Sequence, residues 1–256
     1  MKNIIFEYVD EIDSTNDELK RRISDGVAGE FSVLSAGMQT GGRGRSGHAW
    51  TSPKGSSVST SMVVIPEGVH KEHIPRLTPL AAVAVGEAIE ELYDLRVQIK
   101  WPNDILLRGH KVCGILTELI LREGVPYVVI GIGVNVHVRD FPPEISGIAT
   151  SIDLVLENDN RSVTTHCEDI TRSIWEHFVA HYSDFLLTED LSSVLDYYNE
   201  RLVNKGSRIK VLSPIEPFSG EALGIDETGA LHVMTEEGER LVDSGEVSVR
   251  GFYGYV

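Results

Sequence analysis

The feature that most constrains the fold is a run of β-strand patterns in the middle of the chain, separated only by short turns. Apolar segments rich in β-branched residues extend over residues 97–136. Turn sequences interrupt them at Pro102-Asn103-Asp104, at Arg108-Gly109-His110-Lys111 and at Glu123-Gly124. Strands joined by such turns are typically antiparallel neighbours. The middle of the chain is therefore predicted to be an antiparallel meander, and not an alternation of strands and helices.

Further strands and one helix are predicted before the meander. The first segment predicts a strand followed by a helix that is capped by Ser14 or Thr15 and ends at Gly26. The sequence FSVLSAG predicts a second strand. SSVSTSMVVIP predicts a third, whose small polar residues alternate with apolar ones as on a strand with one solvated face.

Helical patterns flank the meander on both sides. Pro75 is expected to open an alanine-rich helix that runs to Asp94 and packs closely on the sheet. After the meander, two helices are predicted at about residues 165–186 and 190–202.

The character of the sequence changes near Asn204-Lys205-Gly206. From there to Val256 every apolar segment is short and bounded by turn residues, which predicts a small five-stranded barrel of the SH3-like kind. We therefore expect an α+β protein with two domains, a larger one at 1–203 and the barrel at 204–256. The sheet of the larger domain is expected to be mixed but largely antiparallel, with helices packed against it.

Charge and composition exclude several classes of function. The formal net charge is −16, and the predicted barrel has four basic and nine acidic residues from Gly206 onward, so DNA and membrane binding are not expected. The N-terminus becomes acidic too early for a signal peptide, and no apolar run approaches the roughly 20 residues of a membrane span. Cys113 and Cys167 match no metal-binding or redox spacing, which favours a cytoplasmic location.

One segment departs from this acidity. The 36 residues 31–66 contain no Asp or Glu, and within them lies the sequence GGRGRSGHAW (41–50). Glycines let backbone amides approach a ligand, and arginines offer forked, permanently charged donors to phosphate or carboxylate. The pattern indicates a binding loop for an anion, although a solvated loop that merely balances local charge has the same composition.

Two other sequences indicate a pocket. KWPND (100–104) is followed by Lys111, and if both lie on one hairpin, Asp104 and Lys111 face each other as a carboxylate–ammonium pair. An ordinary turn with a surface ion pair is the alternative. GIGVN (131–135) carries two alternating glycines at a strand end, which is typical of close approach by a ligand or by a packed helix.

Other catalytic patterns find no support. His177 and His181 lie four residues apart on a predicted helix, but without an evident third ligand they indicate a helix surface and not a metal site. There is no GxSxG motif, so covalent acyl-enzyme chemistry is not expected.

The order of these sequences is more specific than any one of them. In chain order they are Ser14-Thr15-Asn16, QTGGRGR (39–45), Trp50 with Ser52-Pro53, KWPND, KVCGIL (111–116) and GIGVN. This series closely resembles the biotin protein ligases, which attach biotin to the carrier domains of carboxylases. The resemblance extends nearly from end to end, includes the C-terminal barrel and implies the class II synthetase-like catalytic fold of biotin and lipoate ligases.

The resemblance implies an ATP-dependent reaction in two steps. The biotin carboxylate first reacts with ATP to give biotinyl-5′-adenylate and pyrophosphate, and the acyl group then passes to one lysine of a biotin carboxyl carrier protein or domain. Two anions meet in the first step, so a positive, acid-free loop suits it. Mg²⁺ would accompany ATP, held chiefly by phosphates, and no dedicated metal site is expected in the protein.

The resemblance also assigns roles to particular residues. Lys111 and Arg45 would stabilise charge on the carboxylate and α-phosphate, and Asp104 would assist the attacking lysine, so these three are the expected catalytic residues. The expected biotin-binding residues are Ser14, Thr15, Asn16, Gln39, Gly42, Arg43, Gly44, Arg45, Lys111, Gly114, Gly131 and Gly133. The expected ATP-binding residues are Arg43, Arg45, Trp50, Lys111, Asn135, Ala149, Thr150 and Ser151.

Two departures from the family pattern modify these expectations. Many relatives carry a basic residue just before the loop tryptophan, where this chain has His48-Ala49, so weaker screening of the adenylate phosphate and pH-sensitive loop closure are expected. No DNA-binding module is recognised ahead of the first strand, so a ligase without repressor function is expected. A homodimer is compatible with the resemblance, since relatives are often dimers.

The residues leave two other functions open. A lipoate ligase or octanoyl transferase shares the architecture, although such relatives should lack the paired GRGR and KWPND motifs. A non-catalytic biotin sensor would bind the ligand without chemistry. The presence of both Arg45 and Lys111 favours catalysis over sensing, because binding alone does not need charge stabilisation at the carboxylate.

Overall fold

The structure is a computed structural model, and it describes residues 3–51, 53–161, 163–164, 166–213, 216–245 and 248–251. This part of the chain forms two β-sheets and five α-helices. None of the helices in these ranges is both long enough and apolar enough to cross a membrane.

The larger sheet contains the first seven strands. They are β1 (Ile5–Val9), β2 (Ser32–Ala36), β3 (Ser57–Val64), β4 (Gln98–Lys100), β5 (Asp104–Leu107), β6 (His110–Arg122) and β7 (Val125–Asn135). Their order across the sheet is β1-β2-β3-β7-β6-β5-β4. Strands β1 and β2 pair in parallel and the other described pairs are antiparallel, which confirms the predicted mixed, largely antiparallel sheet.

The predicted meander is confirmed in β4 to β7, which are neighbours both in sequence and in the sheet. The β6–β7 hairpin turns at Glu123 and Gly124, where both residues have a positive φ that glycine adopts at little cost. Strand β7 pairs with β6 on one side and with β3 on the other. The GIGVN sequence therefore lies at the centre of the sheet.

Helices follow the strands or cover them. They are α1 (Thr15–Ser24), α2 (Leu77–Tyr93), α3 (Ile152–Asn158), α4 (Cys167–Thr188) and α5 (Leu195–Arg201). The predicted cap of α1 is confirmed, because the Ser14 hydroxyl accepts a hydrogen bond from the backbone N–H of Asp17.

Two helix starts differ from the prediction. Pro75 lies in a short 3₁₀ helix, Lys71–Arg76, and α2 begins only at Leu77. Such 3₁₀ turns are frequent at the N-termini of α-helices. Helix α5 begins at Leu195 and not near residue 190, because the Asp190 carboxylate accepts the backbone N–H of Ser192 and holds the chain in a turn.

The third helix was not predicted at all. Helix α3 begins after Ser151, whose hydroxyl accepts the backbone N–H of Leu154 as a cap. With seven residues it is too short to show a clear helical period in sequence. The predicted first residue of α4, Thr165, lies outside the described residues, and α4 ends at Thr188, two residues beyond the expected end.

Helices cover both faces of the large sheet. Helix α2 packs with α4 against one face, and its residues 81–85 are fully buried, as the small alanines allow close helix packing. On the opposite face, α1 forms a smaller core through Leu19 and Ile23.

Strand β3 contradicts the prediction of one solvated face, since all eight of its residues are buried. Ser61 shares a 2.7 Å hydrogen bond with Thr15 of α1. Thr60, on the opposite face, accepts the indole N–H of Trp175 of α4. The alternation was real, but Thr60 and Ser61 meet partners in the covering helices and not water.

The smaller sheet confirms the five predicted C-terminal strands. They are β8 (Arg208–Leu212), β9 (Phe218–Ile225), β10 (Leu231–Thr235), β11 (Gly238–Val242) and β12 (Ser248–Gly251). Their order is β11-β10-β9-β8-β12, so over the described residues β11 and β12 are edges and the barrel is not closed. The sheet contacts the larger part of the chain where Trp101 donates its indole N–H to the Gly229 carbonyl at 3.1 Å.

Candidate active site

A cavity of 760 Å³ opens between the centre of the large sheet, the 41–50 loop and the C-terminal sheet. This size is typical of small-molecule sites. Most of the predicted site residues line it: Ser14, Thr15, Asn16, Gln39, Arg43, Gly44, Arg45, Trp50, Asp104, Lys111, Gly114, Gly131, Gly133, Asn135 and Ala149. Motifs separated by about a hundred residues in sequence are thus brought to one cleft.

Three predicted residues lie behind this lining. Gly42 pairs with Trp50 across the loop, and a Cβ at Gly42 would lie only 2.5 Å from the Trp50 carbonyl oxygen. The Thr150 carbonyl accepts the side-chain amide of Asn135 at 3.1 Å. Ser151 caps α3. These residues hold others that line the cavity.

One end of the cleft is a polar corner formed by Thr15, Asn16 and Gln39, with Ser61 fully buried behind them. The Gln39 amide oxygen accepts the backbone N–H of Thr15 at 2.8 Å. Ser61 donates to the Asn16 amide oxygen at 2.6 Å, and the Asn16 nitrogen donates to Glu118 at 2.7 Å. Such a chain of hydrogen bonds fixes the direction of each donor and acceptor.

Two members of this network were missed in the sequence. Ser61 stood in the polar alternation of β3, which did not reveal that its partners are Thr15 and Asn16. No local pattern marked Glu118, whose contacts are with α1, about a hundred residues earlier in the chain.

The floor of the cleft is made of glycines, and Trp50 lies on it. A Cβ at Gly133 would lie 2.5 Å from the Trp50 indole, and one at Gly114 would lie 3.2 Å from it. A Cβ at Gly131 would lie 2.2 Å from the side-chain oxygen of Asn16. Flat surfaces of this kind admit a ring against the strand backbone, so close approach is the reason for the GIG pattern.

The predicted Asp104–Lys111 pair is present. The Lys111 Nζ atom lies 2.6 Å from Oδ1 of Asp104, across the β5–β6 hairpin. Lys111 pairs with Leu106, two residues from Asp104 along β5, and Asp104 itself pairs with Gly114. Lys111 and Asp104 are both largely withdrawn from solvent, so this is not a surface ion pair of the weak kind.

Lys100 is a further cation, for which no role was predicted. It lines the cavity and is only 4% exposed. Desolvation lowers the pKa of Lys100 to about 8, against the opposing effect of Asp104. The cleft therefore holds a lysine that is poorly hydrated and still largely charged near neutral pH.

Arg45 connects the loop to the C-terminal sheet. Its guanidinium donates to the Asn103 side chain at 3.2 Å and to the Ser244 carbonyl at 2.7 Å. Burial lowers the pKa of Arg45 from its usual value. Arg250, on β12, also lines the cavity. The C-terminal sheet was not expected to form part of the site.

Arg43 also lines the cavity and forms an ion pair with Asp17 of α1. Asp17 also binds Lys20, at 2.6 Å. The acid-free loop thus receives its counterions from distant parts of the chain.

Metal ligands are not concentrated in this cleft. Over the described ranges, three candidate ligand atoms converge at His70, His73 and Glu189, and none of these residues lines the cavity. His177 and His181 form hydrogen bonds with Glu87 and Glu91 on α2.

Comparisons with known proteins define the class. Residues 8–135 match the Biotin/lipoate A/B protein ligase family, and residues 206–250 match the Biotin protein ligase C terminal domain. The chain belongs to the biotin/lipoate A/B protein ligase family.

Individual relatives resemble nearly the whole chain. It is 34% identical over 247 residues to the bifunctional ligase/repressor BirA of Bacillus subtilis. The aligned residues make up 94% of this chain and 73% of the relative. It is 31% identical over 242 residues to a biotin–[acetyl-CoA-carboxylase] ligase of Paracoccus denitrificans, covering 93% and 98%. The biotin protein ligase from Aquifex aeolicus in complex with biotin and ATP superposes with a TM-score of 0.83 at 27% identity, covering 98% and 100%.

Proposed function

We propose that the chain is a biotin–protein ligase that forms biotinyl-5′-adenylate from biotin and ATP and transfers the biotinyl group to a lysine of a carrier protein. The observation that carries this proposal is the division of one cavity into a polar corner and a cationic end, with glycines between them. Biotin is divided in the same way, into a neutral ureido ring, an apolar body and a carboxylate. The names of the relatives support the same activity.

Binding begins at the polar corner in this proposal. Donors and acceptors whose directions are already fixed can bind the ureido group without further ordering of side chains. The flat floor at Gly114, Gly131 and Gly133 then accommodates the bicyclic ring and valeryl chain.

Adenylation requires positive charge at the other end. The biotin carboxylate attacks the α-phosphorus of ATP and pyrophosphate leaves, so negative charge increases where two anions meet. Lys111 and Arg45 are partly withdrawn from water, and cations in such sites stabilise developing charge more strongly than hydrated ones. Lys100 adds a third cation to the same end.

Transfer requires an amine from the acceptor. The lysine nitrogen attacks the acyl carbon, the bond to AMP breaks, and the amine loses a proton as the amide forms. Asp104 lines the cleft and is positioned to orient the amine or accept its proton. We propose a biotin carboxyl carrier domain of a carboxylase as the acceptor, in line with the names of the relatives.

Mg²⁺ enters with ATP in this scheme. The metal prefers oxygen ligands and commonly retains water and substrate phosphates. The cleft contains the carboxylates Asp104 and Asp140, and Asp104 is engaged by Lys111. This lining fits a metal carried by the phosphates of ATP and not one held by a protein cage.

The test is exchange of labelled pyrophosphate into ATP with biotin, lipoate and octanoate in parallel. We expect exchange with biotin alone. Exchange with lipoate or octanoate instead would identify a neighbouring ligase activity, and binding of biotin without any exchange would support a sensor.

Lys111→Ala tests the cationic end. The exchange rate should fall about 100-fold or more, as is usual when one donor to a transition state is removed. Lys54→Ala, an exposed lysine in the same acid-free segment, should exchange at the wild-type rate. Equal rates in both variants would exclude Lys111 from adenylation.

Three further features belong to the proposal. The division into a catalytic domain at 1–203 and a C-terminal domain at 204–256 is supported by the second family match, which begins at residue 206. A homodimer is supported by the exposed apolar side chains of Ile5 and Tyr8 on the edge strand β1. A cytoplasmic location is supported by two cysteines that form no disulfide. Limited proteolysis tests the domain division, and sedimentation tests the homodimer.

A further inference from the structure

Three side chains that commonly bind metals converge near the start of α2, outside the candidate active site. They are His70, His73 and Glu189. The Nδ1 atoms of His70 and His73 lie 3.0 and 2.7 Å from the same oxygen, Oε2 of Glu189. Across the described part of the chain, no other group brings three such ligand atoms within 4.8 Å of one another.

The chemistry of this group suits a divalent transition metal. Two imidazole nitrogens and one carboxylate oxygen, with water in the fourth position, form a common Zn²⁺ ligand set with bonds of about 2.0–2.2 Å. Ligand atoms on a tetrahedral ion at those lengths lie about 3.4 Å apart. The present separations of 2.7 and 3.0 Å therefore need to widen only slightly. The His70 side chain is 67% exposed, so water can reach the ion.

Backbone contacts already hold the ligands together. Glu189 caps α4 in the left-handed conformation, and its carboxylate also accepts the backbone N–H of His70 at 3.0 Å. Arg76 donates to the Glu189 backbone carbonyl, so this cation does not occupy the carboxylate. Ligands that are ordered before binding lose less entropy when the ion enters.

The charges around the group are balanced. Lys71 and Arg76 contribute positive charge from the 3₁₀ helix, while Glu72 and Asp190 contribute negative charge beside the two ends of the cluster. With Glu189 ionised, the group offers one anionic ligand beside two histidines, which is the ligand set of known His₂Glu zinc sites.

We propose that His70, His73 and Glu189 form a binding site for one divalent transition-metal ion, with Zn²⁺ as the best fit. The ligands come from segments 116 and 119 residues apart, so the ion would join the start of α2 to the end of α4. Because the unfolded chain lacks this arrangement, binding would stabilise the folded state. Lys71 and Ile74 of the same 3₁₀ helix line a second cavity with Arg45, so the ion would also stiffen a wall next to the active-site loop.

The test is a calorimetric titration of the tag-free, chelator-treated full chain with Zn²⁺, and with Co²⁺ for its visible absorption. We expect one ion per chain, a rise in Tm with metal, and Co²⁺ bands typical of tetrahedral coordination. His73→Ala and Glu189→Gln should weaken binding at least tenfold and remove the rise in Tm. Glu189→Gln keeps the size of the side chain and removes its charge.

His177→Ala is the matched control, because its ring contacts Glu87 and Glu91 in a second histidine–carboxylate cluster that does not bring three ligand atoms together. It should bind Zn²⁺ as the wild type does. Absence of binding by the wild type, unchanged binding by Glu189→Gln, or loss of binding in His177→Ala would each overturn the proposal. Circular dichroism confirms that each variant is folded. The result does not depend on ligase activity, since none of the three ligands lines the cleft.

Discussion

Asn16 shows how a single side chain in the cleft is held in one orientation. Its amide oxygen accepts from Ser61 and its amide nitrogen donates to Glu118, so exchanging the two ends would place the amide oxygen against the Glu118 carboxylate, acceptor against acceptor. Lys20 lies 2.7 Å from Glu118 and neutralises it. Glu118 itself does not line the cavity, and we therefore regard it as a positioning residue for Asn16.

Glu118→Ala should raise the KM for biotin about tenfold, because it removes a charged hydrogen-bond partner from Asn16. The kcat at saturating biotin should change little. Glu118→Gln should restore most of the affinity, since its amide oxygen still accepts from Asn16. Glu123→Ala, exposed at the turn of the same hairpin, serves as the control. The measurement is steady-state kinetics with biotin as the varied substrate. A lower kcat in Glu118→Ala with an unchanged KM would contradict this role.

Asp104→Asn should separate the two steps of the reaction. The carboxylate that can accept a proton is lost while the size of the side chain is kept, so transfer to the acceptor should fall more than pyrophosphate exchange. Transfer is measured from preformed adenylate to a carrier domain in a single turnover. Equal losses in both assays would show that Asp104 acts only by holding Lys111.

Among the elements, β6 and β7 each contribute four residues to the lining of the cleft, and the glycines of β7 expose its backbone at the centre of the sheet. The indole of Trp50 rests there, with its ring 5.6 Å from Lys111 Nζ. The indole N–H has no hydrogen-bond partner among the described residues. A ring that is carried by a loop and makes no hydrogen bond at its N–H can move when a ligand needs the same surface.

Gly133→Ala tests this floor. The added methyl group would meet the Trp50 indole at 2.5 Å, so the ring or a ligand must give way. Overpacking of this kind should raise the KM for biotin and for ATP about 10- to 100-fold. Gly147→Ala is the control, because nothing lies within 4 Å of its new methyl group. A wild-type KM in Gly133→Ala would show that the ligand does not approach β7.

For the whole molecule, the site depends on contact between the two sheets. Arg45 belongs to the 41–50 loop of the larger part, yet its guanidinium is bound by the carbonyl groups of Ser244 and Gly245. Trp101, within KWPND, contacts the same part of the chain through Gly229. The position of the C-terminal sheet therefore affects two of the motifs that line the cleft.

Arg45→Ala should raise the dissociation rate of the adenylate about tenfold or more. The substitution removes a guanidinium that can donate two hydrogen bonds to an anion, and also its hydrogen bonds to the C-terminal part of the chain. The measurement is the release of labelled adenylate after gel filtration in the absence of acceptor. Arg172→Ala, on the exposed surface of α4, should retain the adenylate as the wild type does. Tight retention in Arg45→Ala would contradict the role of the loop.

Local patterns in the sequence were sufficient for much of this protein. The meander, the Ser14 cap, the five C-terminal strands and the Asp104–Lys111 pair each depend on residues that lie close together in the chain. The order of the short motifs was enough to indicate the family. These features follow from turn chemistry, capping and the geometry of a hairpin, which neighbouring residues specify by themselves.

Contacts between distant segments were decided only by the tertiary structure. The polar side chains of β3 are buried because α1 and α4 cover both faces of the sheet. Glu118 meets Asn16, and Arg45 meets Ser244, across 102 and 199 residues. Burial of Lys100 depends on the same packing, and so does the approach of Glu189 to His70. No local sequence pattern specifies these contacts. The packing of distant elements determines how far each of these side chains is desolvated and which hydrogen-bond partners it has.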